Sequence, residues 1–111
     1  MPVCFISNIH QHWFAVNITQ TTIEIFDSLG PKSKLFTNDY MVKFLCNNLI
    51  NRKLITIRQL QSYSSWLCGY FCLVILKLRS SYISCTNIET LFSTDLEKND
   101  SIIRNIFKDL I

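Results

Sequence analysis

Histidine is scarce in this chain. Only His10 and His12 occur, so proton transfer through an imidazole must use one of two neighbouring positions. Glycine and proline number two each, and no repeat, low-complexity segment or interdomain linker breaks the 111 residues. A single domain over 1–111 is expected, long enough for one core but not for two. Charge is thin as well: 17% of residues are charged against 49% hydrophobic. So apolar a small protein is expected to expose apolar patches and to use a partner. The net charge of +3 comes without a dense Lys/Arg stripe. It permits weak nucleic-acid binding without demanding it, and scattered solvated charge is the plainer reading. No apolar run approaches membrane-spanning length, and the N-terminus lacks a charged region followed by a long apolar stretch. Neither a membrane segment nor a signal peptide is expected. Asn17-Ile-Thr19 and Asn99-Asp-Ser101 match the glycosylation pattern, but without a secretory route both read as chance.

Cysteine is the exception, with Cys4, Cys46, Cys68, Cys72 and Cys85. The odd count excludes a complete disulfide framework. No CxxC pair or metal-ligand spacing appears, so no metal is expected. Reduced thiols and an intracellular setting follow. Four of the five read as buried small hydrophobes. Cys68 does not. It stands where the polar stretch from Gln61 to Trp66 turns into the apolar run Leu67 to Leu78, the start of a helix over about Leu67–Arg79. The first N–H groups of a helix lack intrahelical partners, and the macrodipole puts partial positive charge there. Both favour a thiolate, and a nearby imidazolium can lower a thiol pKa from about 8.5 to well below 7. Gly69 removes a side chain from the approach to the sulfur.

A thiolate needs a proton partner. His12 opens the run His12–Ile18, and a second extended run covers Thr22–Ser28. Read as an antiparallel hairpin with its turn on Thr19-Gln20, the two pair Val16 with Ile23, Phe14 with Ile25, and His12 with Asp27. Directly opposed residues share a face, so the pairing that matches the apolar residues also sets a carboxylate beside an imidazole. That is the orienting half of a nucleophile–base–acid triad. The hairpin is apolar on most of both faces, which predicts a sheet covered on both sides. Trp13 packs either against the site or in plain core.

Other elements follow from pattern. Val3–Ser7 is a short strand, and Asn8–Gln11 a turn or bulge delivering His12. Leu29-Gly30-Pro31 stops the second hairpin strand, and Lys32–Lys34 is an exposed loop. Thr37 or Asn38 caps a helix over Asp39–Asn51, with Met41, Phe44, Leu45, Leu49 and Cys46 on its apolar stripe. Leu54–Arg58 is a strand. Asn87 caps a short helix to Ser93. Asn99 or Ser101 caps a last one to Leu110. Together these predict an α+β fold, a small mixed or antiparallel sheet packed on a buried central helix carrying Cys68 at its N-terminus. In the loop before Cys68, Gln59 and Gln61 are the two amides able to join the Cys68 backbone N–H in an oxyanion hole.

His12-Trp13, Asp27 at a strand end, Gln61, then Cys68-Gly69-x-Phe71 stand in an order that resembles the adenain superfamily of cysteine proteases. That superfamily joins adenovirus-type maturation proteases to the proteases that remove ubiquitin-like modifiers. The likeness runs from about His12 to Leu76, and the spacing from Gln61 to Cys68 looks more like the adenovirus-type branch. It implies a Cys68–His12–Asp27 triad, with Gln61 rather than Gln59 in the oxyanion hole and Trp13 and Gly69 in support. It implies polypeptide substrates, viral precursor proteins cut next to small residues, no metal or organic cofactor, and an activating peptide or nucleic acid. One of Cys4, Cys46 and Cys85 would join such a peptide by disulfide. Localisation would be host cytoplasm or nucleus, or the virion of a virus or virus-like element. Two departures stand out. Only 11 residues precede His12, where a longer cleft-walling segment is expected, which suggests a minimal protease, a fragment, or a chain completed by a partner. Leu67 replaces the polar residue usual in SUMO-type enzymes. The alternatives are a deconjugating protease of the same superfamily, for which so short a chain has little area to grip a folded modifier, and an inactive protease-like scaffold.

Overall fold

The computed structural model describes residues 3–110. Four strands form one sheet in the order β1-β2-β3-β4: Val3–Ile9, His12–Ile18, Thr22–Phe26 and Lys53–Thr56. The first three are antiparallel, and β4 joins β3 in parallel. A parallel return needs a crossover. It is supplied by a 3-10 turn, Lys34–Thr37, and helix α1, Asp39–Asn48. Helices α2 (Cys68–Ser80), α3 (Cys85–Leu91) and α4 (Leu96–Ile106) complete an α+β fold.

Alternation along the strands divides the core into two. Phe14, Val16, Ile23 and Ile25 pack with Leu35 and Met41 on the α1 side. Ala15 and Phe26 pack with Phe71, Cys72, Ile75, Ile88 and Ile103 of the other three helices. The sheet is therefore covered on both faces. One polar group interrupts the second face: buried Glu24 accepts from Asn17 Nδ2 (2.7 Å) and Arg79 Nε (2.9 Å). Both Asn17 and Asn99 are buried, at 4% and 0% exposure, so neither glycosylation pattern presents an accessible amide.

β1 and β2 meet through a two-residue turn, His10-Gln11, with φ of 51° and 67°. Two successive positive φ angles match the twist of a tight hairpin. Asn8 Oδ1 accepts the Gln11 N–H at 3.1 Å. Pairing thus carries β1 to Ile9, opposite His12, two residues beyond the expected end. The second hairpin differs from expectation in register. Val16 lies opposite Ile25 and Ile18 opposite Ile23, a shift of two residues. Thr19 is the cause. Its hydroxyl accepts the Thr22 N–H at 2.9 Å and pairs with the Thr22 hydroxyl at 2.6 Å, moving the turn to Gln20-Thr21. A two-residue shift keeps every side chain on its expected face. His12 and Asp27 stay on one side of the hairpin and meet diagonally rather than directly.

Helix ends follow capping chemistry more than apolar period. Asn38 caps α1 as expected, accepting from Tyr40 and Met41. The helix ends at Asn48, and Asn51 turns left-handed (φ 61°) toward β4. Ser84 rather than Asn87 caps α3, and Asp95 rather than Asn99 or Ser101 caps α4. Ser33, expected in an exposed loop, is buried and caps the 3-10 turn. Cys4 and Cys46, expected in the core, are exposed, and Cys85 is half-buried. α2 buries one stripe, Cys68, Phe71, Cys72 and Ile75, and leaves Leu73 49% exposed. It lies on one face of the sheet rather than being enclosed all round.

Candidate active site

Cys68 is the first residue of α2 and the first of its buried stripe, at the i, i+3, i+4, i+7 spacing that puts side chains on one helix face. Packing of Phe71, Cys72 and Ile75 therefore fixes the rotation of the helix and aims the sulfur at β2. Leu67 precedes it without a side-chain cap, so no hydroxyl or carboxylate competes for the first N–H groups. The sulfur accepts the Trp13 backbone N–H from β2 at 3.4 Å, and the Gly69 backbone N–H, the next along the helix, favours its charged form.

His12 stands at the start of β2, next in the chain to the Trp13 N–H that bonds the sulfur, and acts on Cys68 by hydrogen bonding and charge. Its Nε2 bonds Asp27 Oδ1 at 2.8 Å, which leaves Nδ1 free of that carboxylate. Asp27 is 1% exposed, and the Leu29 N–H also bonds its Oδ1, at 2.9 Å. Its other oxygen is buried without a partner. The hydrogen bond to this carboxylate, followed by the one to Cys68, lifts the His12 pKa to about 9 against the opposing effect of burial. For Cys68, burial is the largest influence and favours the thiol. It is outweighed by the hydrogen bond and charge of His12 and by the two backbone N–H groups, which together bring the thiol below its ordinary value. The two shifts favour transfer of the thiol proton to the imidazole. Cys72, one turn on, shows the contrast: burial, then the charges of Cys68 and Asp27, pushes it up to about 12.

The loop before Cys68 is tied down at both ends. Leu60 and Gln61 both donate their N–H to Ser28 O, at 2.8 and 2.9 Å. Gly30 (φ 83°) lets the two chains approach, since a Cβ there would lie 2.7 Å from Gln59 N. Gln61 is 1% exposed. Its oxygen accepts from Ser28 Oγ and its Nε2 donates to Ser65 O at 2.9 Å. The Ser65 carbonyl, which can only accept, fixes which end of the amide carries the nitrogen and leaves it one further N–H. Gln59 is half-buried and braces the Gln61 carbonyl at 2.9 Å. From the other side, Asn99 Nδ2 donates to Leu60 O at 3.0 Å, and Asp100 accepts from Ser62 Oγ at 2.6 Å. Along the chain Ser28 and Asp100 carry no signal of this positioning role, and Asn99 reads as a cap instead. Their partners lie 33 to 39 residues away.

Trp13 is exposed rather than core. It is 44% exposed, and its indole lies over Gly69, where a Cβ would come within 3.3 Å of Cδ1. Gly69 thus makes room for the indole beside the sulfur. Next to His12 opens a cleft of about 500 Å3, with apolar walls from Ile9, Leu29 and Leu35 and with Lys32 and Lys34 among its lining. Among the described residues, no group of three or more His, Cys, Asp or Glu side chains could hold a metal ion. Nor is any helix long and apolar enough to cross a membrane. No protein-family model, curated protein or solved structure matches the chain.

Proposed function

We propose that the chain is a cysteine endopeptidase of the adenain type. The observation that carries this is that Cys68, at an uncapped helix start, takes the Trp13 N–H on its sulfur at 3.4 Å, beside the His12 imidazole that the buried Asp27 carboxylate orients at 2.8 Å. In this reading the Cys68 thiolate attacks the scissile carbonyl carbon, forming a C–S bond and an oxyanion. The Cys68 backbone N–H and the free Gln61 amide N–H stabilise that charge, a pair in which one donor is worth on the order of 100-fold or more in rate. His12 imidazolium hands its proton to the leaving amine as the C–N bond breaks. It then takes a proton from water, which cleaves the thioester and regenerates the thiolate. Asp27 keeps Nε2 occupied and leaves Nδ1 for the sulfur.

The substrates would be polypeptide precursors, and an activating peptide or nucleic acid would complete the cleft, both on the strength of the resemblance. The test is cleavage of a peptide library, with Cys68→Ala and His12→Ala as controls. Loss of all cleavage in both variants is expected. Equal cleavage by the Cys68→Ala protein overturns the proposal.

A further inference from the structure

We infer that the cleft beside His12 seats the part of the substrate that follows the scissile bond, and that it favours an acidic residue there. This rests on the peptidase reading. The side assignment comes from the chemistry: the imidazolium delivers its proton to the leaving nitrogen, so the leaving chain departs on the His12 side of the sulfur. His12 lines the cleft and Cys68 does not. The space, about 500 Å3, accommodates several residues of extended chain. Its apolar walls, Ile9, Leu29 and Leu35, suit an apolar side chain.

Charge sets the rest. Lys32 and Lys34 line the cleft and are exposed, and His10 joins them from the hairpin turn. No carboxylate lines it among the described residues. Asp27 lies behind His12, buried and hydrogen-bonded to it, and exposed Asp39 follows Asn38 in the chain. The cleft thus offers cationic groups without anions to answer them. With only two lysines over an apolar floor, a carboxylate-bearing peptide fits better than a polyanionic backbone, which needs a longer basic stripe.

The experiment digests a proteome-derived peptide library with the wild-type chain, the Cys68→Ala control and a Lys32→Glu/Lys34→Glu variant. Mass spectrometry then scores the residues on both sides of every cut bond. Asp and Glu should be enriched within a few residues after the cut, by about 1.5- to 5-fold per lysine as for an exposed ion pair, and less so at 0.5 M salt. The double variant should reverse that preference and leave the residues before the cut unchanged. Its Cys68 alkylation rate should also be unchanged, which reports an intact site. Cys68-dependent cleavage with no charge preference after the cut, or with one the double variant does not alter, overturns this inference alone. Inhibition by a single-stranded 20-mer oligonucleotide without any peptide preference would assign the cleft to nucleic acid and also overturn it. Absence of Cys68-dependent cleavage removes the peptidase reading and this inference with it.

Discussion

Alkylation of Cys68 by iodoacetamide, followed from pH 6 to pH 9 with peptide mapping, tests the electrostatics of the site most directly. An ordinary thiol near pKa 8.5 is about 0.3% thiolate at pH 6 and about 75% at pH 9, so its rate climbs roughly 200-fold across the range. Short unstructured cysteine peptides serve as standards of that behaviour. Cys68 should climb less, because His12 and two backbone N–H groups lower its pKa against the opposing effect of burial. Taking the ratio of rates removes the effect of its low exposure, 8%. A second inflection should appear near pH 9, where His12 gives up its proton. In His12→Ala the largest remaining influence on the sulfur is burial. The curve should then become at least as steep as those of the standards and lose the upper inflection. A wild-type Cys68 rate rising as steeply as that of the standards would refute the thiolate–imidazolium pair.

Asp27→Asn should move the upper inflection below 9, since Asp27 supplies the largest upward influence on His12, and should cut peptide cleavage by up to about 10^4-fold. The pH dependence of stability is cleanest in Cys68→Ser, because in the intact chain His12 gains the proton that Cys68 gives up and the two effects cancel. With Asp27 still holding it, His12 keeps a folded pKa above its unfolded 6.5. Its contribution should be complete below pH 6.5 and decline as pH rises through the folded value, measured by urea melts against Cys68→Ser/His12→Gln. Gly30→Ala should lower the urea midpoint, costing about 1–3 kcal/mol for the positive φ and more for the 2.7 Å approach to Gln59 N. An unchanged midpoint would mean the 28–30 and 59–61 segments are not clamped as described. Gly69→Ala should displace the Trp13 indole, seen as a tryptophan fluorescence shift, and slow Cys68 labelling several-fold. An unshifted spectrum would show that the 3.3 Å contact is readily relieved.

Much of the site was legible along the chain because its parts are local signals. The polar-to-apolar switch at Cys68 marks a helix start, and α2 begins at that residue. Phe14, Val16, Ile23 and Ile25 alternate, and they line one face of the sheet. The pairing of His12 with Asp27 survived an incorrect register because an error of two residues leaves side chains on their faces. An error of one would have separated them. The parts that misled are those where a side chain's partner is distant. Asn99 looked like a cap because its amide suits that task equally well. It is instead fully buried, bonding Leu60 O and the backbone of Ser93. Cys4 and Cys46 are apolar enough for a core, but both are exposed, Cys4 near the start of the edge strand β1 with its thiol on Asn17 Oδ1 at 2.9 Å.

Sequence by itself determined the elements, the two apolar faces of the hairpin and the identity of the groups that meet at Cys68, because periodicity and helix-end chemistry act over a few residues. The register missed in the second hairpin was also a local matter, set by Thr19 and Thr22. Tertiary structure decided the seating of the Gln61 amide on Ser28 and the place of α4 behind the loop. These depend on hydrogen bonds whose donors and acceptors are brought together only when the chain closes.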